Sequence, residues 1–351
     1  MPLRGEAILP AMWRTGTIGL VAAASVSVIV LGLTSRPGAS SGAPESSRRS
    51  QLMAAYQPFL SDYVHPYYVL GLPFRPAERA AINNSICSLD ALGFREPALA
   101  RANGRKLAFL LGGSVAFGVF ASSNDTTISS YLNRLQDEYF FVNAGMPGFT
   151  STQELARLAV EIADHQPSLV VVLDGWTDLA LARDAAIRDR GLPLNTPRGF
   201  PALQDRVEPR PWFERRDDRM ATPSAPDDRI AASVARYRRN VERMAAIAPA
   251  IGAEFISVFQ PIAGLHRRTP AEWRQPDPDL TRFHAQAVAQ PRSFRLLDLG
   301  RVFDEHFSEV PVTEGEIDEA TIFLDAEHFH DRGNEIVAAH IGALLEAKST
   351  Q

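Results

Sequence analysis

Short apolar runs alternate with amphipathic segments along most of the chain after residue 105. The first run, "LAFLL", is continuous, as expected for a strand covered on both faces. The segment after it, "TTISSYLNRLQ", carries Ile128, Leu132 and Leu135 at helical spacing. The later strand candidates are "YFFVNAG", "SLVVVLDG", "AEFISVFQP" and "FRLLDLG", and the later helix candidates are "STQELARLAVEIADH", "RIAASVARYRRNVERMAAIAP", "DPDLTRFHAQAVAQ" and "RGNEIVAAHIGALLEAK". This alternation predicts an α/β domain over residues 106–347, with a parallel sheet covered by helices on both faces.

Two stretches depart from this alternation. Residues 51–105 are aromatic and punctuated by proline, which predicts an extended N-terminal extension lying on the main domain. Residues from about 183 to 229 are crowded with Arg, Asp and Pro, as in "EPRPWFERRDDRMATPSAPDD". A stretch of this length and composition predicts a surface insertion.

The N-terminus carries a topological signal. Residues 15–35 contain no charged side chain, and as a helix they would span roughly 31 Å, about one hydrocarbon core. We expect residues 1–35 to be an uncleaved signal anchor that crosses the membrane once, followed by a flexible linker over residues 36–50. A cleaved signal peptide is the alternative, because the small residues "PGASSGA" follow. In both cases the rest of the chain is expected to work outside the cytoplasmic membrane.

Composition narrows the function classes. The net charge of −5 and the isoelectric point of about 5.9 offer no electrostatic basis for binding nucleic acid. The single cysteine, Cys87, excludes an internal disulfide and a thiolate-rich zinc site. His328, His330 and Asp331 offer too few convergent ligands for zinc. No metal and no cofactor are therefore predicted.

Polar side chains and glycines collect directly after the predicted strands. In open α/β sheets, ligands bind beyond the carboxyl ends of the strands. Ser114 follows the first predicted strand, Asn143 and Gly148 the second, and Trp176 and Thr177 the third. Asp325 and His328 come just before the last predicted helix. The "GGS" before the first helix is either an ordinary turn with a serine cap or a sharp strand-to-helix turn that presents a nucleophile. Asp325 and His328 are close enough in sequence for the carboxylate to hold the imidazole.

Four short blocks in this order resemble those of the SGNH (GDSL) hydrolase family. "GGS" stands at the Gly-Asp-Ser block, with Gly113 in place of the aspartate, and "NAGMPG" at the block whose glycine would be Gly148. "GWTD" stands at the Gly-x-Asn-Asp block and "DAEH" at the Asp-x-x-His block. The resemblance covers residues 107–180 and 231–347. "GFR" at residues 93–95 also resembles a segment that precedes the domain in exported members.

This resemblance implies a flavodoxin-like three-layer α/β/α domain and a Ser-His-Asp triad. Ser114 would attack an ester carbonyl, His328 would take and return the proton, and Asp325 would orient His328. The N–H groups of Ser114 and Gly148, with the side chain of residue 177, would form the oxyanion hole. The family's third donor is an asparagine, whereas this chain has Thr177. Trp176 and Asn143 are candidates for the substrate pocket; core packing for Trp176 and a backbone-bonding role for Asn143 are the alternatives.

The threonine leaves three interpretations open. Thr177 donates directly or through water, another residue replaces it, or the site has drifted from hydrolysis. The expected function is an extracytoplasmic serine esterase or acylhydrolase without a cofactor, acting on an acyl ester, with an acylated cell-surface glycan as the candidate substrate. The alternatives are a catalytically weak or inactive protein of this fold that binds glycan or partner proteins, and an O-acyltransferase.

Overall fold

The structure, a computed structural model, describes residues 48–61, 84–90, 92–97, 99–185, 187, 227–271, 273, 277–289, 293–313 and 316–349. The predicted signal anchor, most of the predicted linker and most of the predicted insertion lie outside these residues. Among the residues described, no helix combines the length and the apolar character needed to cross a membrane.

Five parallel strands form one sheet in the order β2-β1-β3-β4-β5. The strands are β1 (Lys106–Gly112), β2 (Tyr139–Asn143), β3 (Leu169–Asp174), β4 (Glu254–Phe259) and β5 (Arg295–Asp298). This order is the flavodoxin-like one, in which the crevice at the carboxyl ends of the strands lies where the strand order reverses. The predicted α/β fold with a parallel sheet is confirmed. Each strand coincides with one of the predicted apolar runs.

One helix, α1 (Arg48–Ser61), precedes the sheet, and helices lie between and after the strands from β1 onward. These later helices are α2 (Ser114–Phe117), α3 (Ile128–Leu135), α4 (Ser151–Val160), α5 (Trp176–Arg183), α6 (Asp227–Ala250), α7 (Pro278–Ala287) and α8 (Asp331–Ser349). The long predicted helices all form. Helix α4 is shorter than the predicted segment "STQELARLAVEIADH", because it ends at Val160 and the chain continues as a 3₁₀ turn over Ile162–His165.

Both faces of the sheet are covered by helices. Along β1, Phe109 and Leu111 join an apolar cluster with residues of α4, α5, α6 and α7. Ala108 and Leu110, which point the other way, join a cluster with residues of α3 and α8. Successive side chains of a strand alternate between faces, so a strand that is apolar throughout is buried on both. The sheet and its helices therefore form a three-layer α/β/α sandwich within the described residues.

The N-terminal segment differs from the sequence-based expectation. A helix, α1, begins at Arg48, before the predicted end of the linker at residue 50, and runs into the extension that was expected to be extended. Leu52 and Tyr56 are four residues apart, so they share one face of this helix, and both are buried. They pack in a third cluster with Phe117 and Phe120. Burial of this face explains why the segment is helical, although its aromatic and proline-rich surroundings suggested otherwise.

The end of β1 allows no side chain at Gly112. Its φ is +148°, and a Cβ built there would lie 2.1 Å from the carbonyl oxygen of Leu173 on β3. We expect Gly112→Ala to lower the free energy of unfolding by at least about 3 kcal/mol, because a backbone clash adds to a strained φ. Urea denaturation measures this loss.

Gly104→Ala is the matched control. Gly104 also has a positive φ of +80°, but no atom lies within 4 Å of a Cβ there. It should lose only about 1–2 kcal/mol, the cost of the backbone conformation alone. Equal losses for the two variants would contradict the role assigned to the β1–β3 contact.

Candidate active site

Ser114 lies on a sharp turn between β1 and a short helix. Gly113 caps α2, Ser114 is its first residue, and Gly118 ends it with φ 86° and ψ 43°. The N–H of a first helical residue has no acceptor within its own helix. The Ser114 side chain is largely enclosed, with the residue 9% exposed. Of the two interpretations of "GGS", the backbone geometry is that of a strand-to-helix turn that projects a side chain at the end of the sheet.

His328 lies on a tight loop just before α8. Two backbone hydrogen bonds close this loop, from Leu324 N to His328 O at 3.0 Å and from His330 N to Ile322 O at 2.8 Å. His330 lies 2.8 Å from the carbonyl oxygen of Phe120 through Nδ1, so it anchors the loop after α2. Within the described part of the chain, no group of three His, Cys, Asp or Glu residues could hold a metal ion.

Ser114, His328 and Asp325 form one continuous hydrogen-bonded chain. The distance from His328 Nε2 to Ser114 Oγ is 2.7 Å, and the distance from His328 Nδ1 to Asp325 Oδ2 is also 2.7 Å. Asp325 Oδ1 accepts the N–H groups of Glu327 and His328 at 2.9 and 2.7 Å. These bonds fix the carboxylate, and the carboxylate fixes the imidazole. With Nδ1–H directed at Asp325, the neutral ring has Nε2 free to accept the proton of Ser114.

Asp325 and His328 each stabilise the charged form of the other. Burial opposes the charged form of His328, but the negative charges of Asp325 and Glu327 and the hydrogen bond to Asp325 outweigh it, raising the pKa of His328 to about 9. Burial likewise opposes ionisation of Asp325. The charge of His328 and the hydrogen bonds from His328 and Glu327 nevertheless hold the pKa of Asp325 below its ordinary value.

Gly113 and Thr177, the two positions at which the blocks differ from those of the SGNH family they resemble, are neighbours in space. A Cβ built on Gly113 would lie 3.1 Å from Thr177 Oγ1 and 3.4 Å from the carbonyl oxygen of Phe149. An aspartate at position 113 would therefore crowd the threonine hydroxyl. Thr177 is buried, and its hydroxyl faces the residue that precedes Ser114. Gly148 has φ +80° and lies in the loop between β2 and α4.

Asp178 connects the first turns of two helices at this edge of the sheet. Its Oδ2 accepts the N–H of Ser151 at 2.8 Å, and its Oδ1 accepts the Ser151 hydroxyl at 2.8 Å. Arg236 on α6 donates to the same Oδ1 at 2.8 Å. The start of α5, which carries Thr177, is thereby tied to the start of α4, which follows Gly148. Asp178 is thus fully engaged in positioning these first turns.

The two candidate pocket residues have different surroundings. Asn143 is buried, its Nδ2 donates to Phe117 O at 3.2 Å, and its Oδ1 accepts Gly145 N at 3.1 Å. Both ends of its amide are used by backbone groups, which matches the backbone-bonding alternative. Trp176 is partly buried and packs against the cluster on the α4–α7 face of the sheet. A pocket role for either residue stays a prediction.

Arg95, from the "GFR" segment, holds the end of the short helix that begins at Ser114. It is 1% exposed, and its Nη1 donates to the carbonyl oxygens of Phe117 and Gly118 at 2.9 and 2.7 Å. Its Nη2 donates to the Tyr56 hydroxyl at 2.8 Å. The guanidinium thus satisfies carbonyl groups at the end of the helix that Ser114 begins. The sequence shows the "GFR" segment but gives no signal for this contact, which joins residues distant along the chain.

The chain is similar to several solved structures, but only at low sequence identity. No protein-family model matches the chain, and no curated protein matches it. The chain is similar to the solved structure of a two-domain esterase active on acetylated mannans, with 15% identity, a TM-score of 0.38 and coverage of 72% of this chain and 52% of that one. It thus spans about half the length of that esterase.

Two other solved structures are covered over most of their length. A lipase/acylhydrolase from Enterococcus faecalis has 17% identity, a TM-score of 0.39 and coverage of 69% of this chain and 96% of that one. An acetyl-xylooligosaccharide esterase from Geobacillus has 14% identity, a TM-score of 0.43 and coverage of 68% and 92%. At these identities and TM-scores, no activity or substrate is transferred to the present chain.

The raised pKa of His328 makes stability depend on pH. The folded chain holds this proton more tightly than the unfolded chain, whose histidine has a pKa of about 6.5. The stabilisation is therefore complete below that value and is lost as the pH rises toward about 9. Asp325→Asn removes the negative charge that does most to raise the pKa of His328, while burial still lowers it, so we expect the pKa of His328 to fall.

NMR titration of the imidazole and the free energy of unfolding at several pH values test this expectation. The asparagine retains an oxygen that can accept the N–H groups of Glu327 and His328. An unchanged His328 pKa in Asp325→Asn would contradict the electrostatic account of the pair.

Proposed function

We propose that the chain is a serine esterase or acylhydrolase of the SGNH type. The observation that carries the proposal is the continuous chain of hydrogen bonds from Ser114 Oγ through His328 to Asp325, with 2.7 Å at each link. A nucleophile, a base in contact with it and a carboxylate that orients the base are the parts that nucleophilic ester cleavage requires. They lie at the carboxyl end of a parallel sheet, where such folds bind ligands.

The reaction follows from the placement of these groups. Ser114 Oγ attacks the ester carbonyl carbon while its proton passes to His328 Nε2, and Asp325 stabilises the resulting imidazolium. The carbonyl oxygen becomes an oxyanion, for which the N–H groups of Ser114 and Gly148 and the hydroxyl of Thr177 are the proposed donors. The intermediate collapses as His328 gives the proton to the leaving alcohol. Water, activated by His328, then releases the acid and restores Ser114.

The substrate and the location are further parts of this proposal. We assign the enzyme to an extracytoplasmic, membrane-anchored position on the strength of the uncharged residues 15–35. An O-acyl group on a cell-surface glycan is the ester that a hydrolase at such a position would meet. Because His328 acts as a base only when neutral, we expect the rate to rise with pH as His328 loses its proton, toward about pH 9.

Active-site labelling tests the nucleophile. The wild-type protein is treated with a fluorophosphonate, and the adduct is measured by intact mass. We expect one adduct per chain in the wild type and none in Ser114→Ala, because only an activated serine beside an oxyanion site attacks the phosphorus.

Ser122→Ala is the matched control. Ser122 follows α2 in the sequence, and its hydroxyl donates to Asp331 Oδ2. This variant should label like the wild type. A folded wild-type protein that does not label would contradict the hydrolase and favour the catalytically silent binding protein. If labelling succeeds, product analysis with an added sugar acceptor separates hydrolysis from acyl transfer.

Thr177→Val tests the third oxyanion donor. Valine keeps the shape of threonine and removes the hydroxyl, so we expect kcat for p-nitrophenyl acetate to fall about 10²-fold while KM changes little. Thr177→Ser keeps the hydroxyl and should retain most of the activity. An unchanged kcat in Thr177→Val would show that the hydroxyl is not an oxyanion donor.

A further inference from the structure

A cavity of about 460 Å³ lies between α4 and α6, and it is strongly cationic. Three arginines of α6 line it, namely Arg236, Arg239 and Arg243, together with Asn240 and Thr152. No acidic side chain belongs to the described residues that line it. The arginines are three, four and seven residues apart, so one face of α6 presents all of them. We call this cavity the arginine pocket.

Arg236 is a buried cation whose hydrogen-bonding capacity is only partly used. The residue is 7% exposed, and its Nη2 donates to Asp178 Oδ1 at 2.8 Å. Its Nε and Nη1 are buried and have no hydrogen-bond partner among the described residues. Unsatisfied donors on a buried charged group are costly, which is why nearly all buried polar groups in proteins have partners. An anion in the pocket would supply the missing acceptors.

The charges of the pocket match a divalent anion. Arg236 is balanced by Asp178, with which it forms a salt bridge. Arg239 and Arg243 are exposed at the mouth and leave two positive charges. Arginine forks fit the oxygens of phosphate and carboxylate, and paired arginines favour the group with the larger charge. Asn240 is held in place through its Nδ2, which donates to Ser151 Oγ at 3.1 Å and Thr152 Oγ1 at 2.9 Å.

We propose that the arginine pocket is a binding site for a phosphate group. The occupant is either free inorganic phosphate or a phosphate monoester on a larger molecule, since both present the same dianion. Arg236 binds it from the floor of the pocket through Nε and Nη1, while Arg239 and Arg243 close on it from the mouth. The site shares no residue with the Ser114–His328–Asp325 chain, so the proposal does not depend on the esterase function.

Calorimetric titration of the full-length protein with inorganic phosphate tests the site. The titration is made at mildly alkaline pH, where inorganic phosphate is mainly the dianion, and against chloride at matched ionic strength. We expect saturable binding that weakens about tenfold in Arg239→Gln and in Arg243→Gln and is lost in the double variant. Both side chains are exposed, so these variants should keep the unfolding midpoint of the wild type.

Arg238→Gln is the matched control, because it removes the same charge from the neighbouring position of α6. Arg238 does not line the pocket and instead donates to Gln286 O at 3.4 Å. This variant and Ser114→Ala should bind phosphate like the wild type. Tighter binding of glucose 6-phosphate than of inorganic phosphate would identify a phosphorylated ligand, and equal binding would identify free phosphate. Absence of saturable binding, or equal weakening by Arg238→Gln, would overturn the proposal.

Discussion

The close contact between β1 and β3 places the rest of the site. Gly112 approaches the carbonyl oxygen of Leu173 so nearly that no side chain fits between them. Because the strands are parallel and in contact, the loops after them begin side by side. The segments that lead into α2 and α5 therefore lie side by side, and Gly113, next to Ser114, faces the Thr177 hydroxyl. The geometry of the candidate oxyanion site is a consequence of this strand pairing.

Buried charges hold the surrounding loops in position. Asp325 fixes His328, Arg95 fixes the end of α2, and Asp178 joins the starts of α4 and α5. A buried charge is tolerated only when it is paired and hydrogen-bonded, so each of these side chains dictates where its partners lie. Arg236 differs from these three side chains, because Nε and Nη1 of its guanidinium have no hydrogen-bond partner among the described residues. That difference separates a structural ion pair from a candidate ligand site.

The sheet, and the contact between Ser114, His328 and Asp325, could be anticipated because both depend on local signals. The apolar run at Phe109 and the helical spacing of Ile128 and Leu132 are visible in a few residues of sequence, and they predict the strand and helix that form. Ser114 and His328 are far apart in the chain, but each follows a recognisable block, and the parallel sheet brings such positions to one edge. The α1 helix lacked a clear signal, because its two buried residues, Leu52 and Tyr56, stand in an aromatic and proline-rich context.

The amino-acid sequence by itself determined the alternation of strands and helices, the class of fold and the residues that could carry chemistry. Only the tertiary structure decided that Gly113 lies beside Thr177, that Arg95 holds the end of α2 and that three arginines of α6 line one cavity. The reason is physical: periodicity records which side of an element is buried. A contact between residues distant along the chain leaves no periodic trace, because it depends on how the packed elements meet.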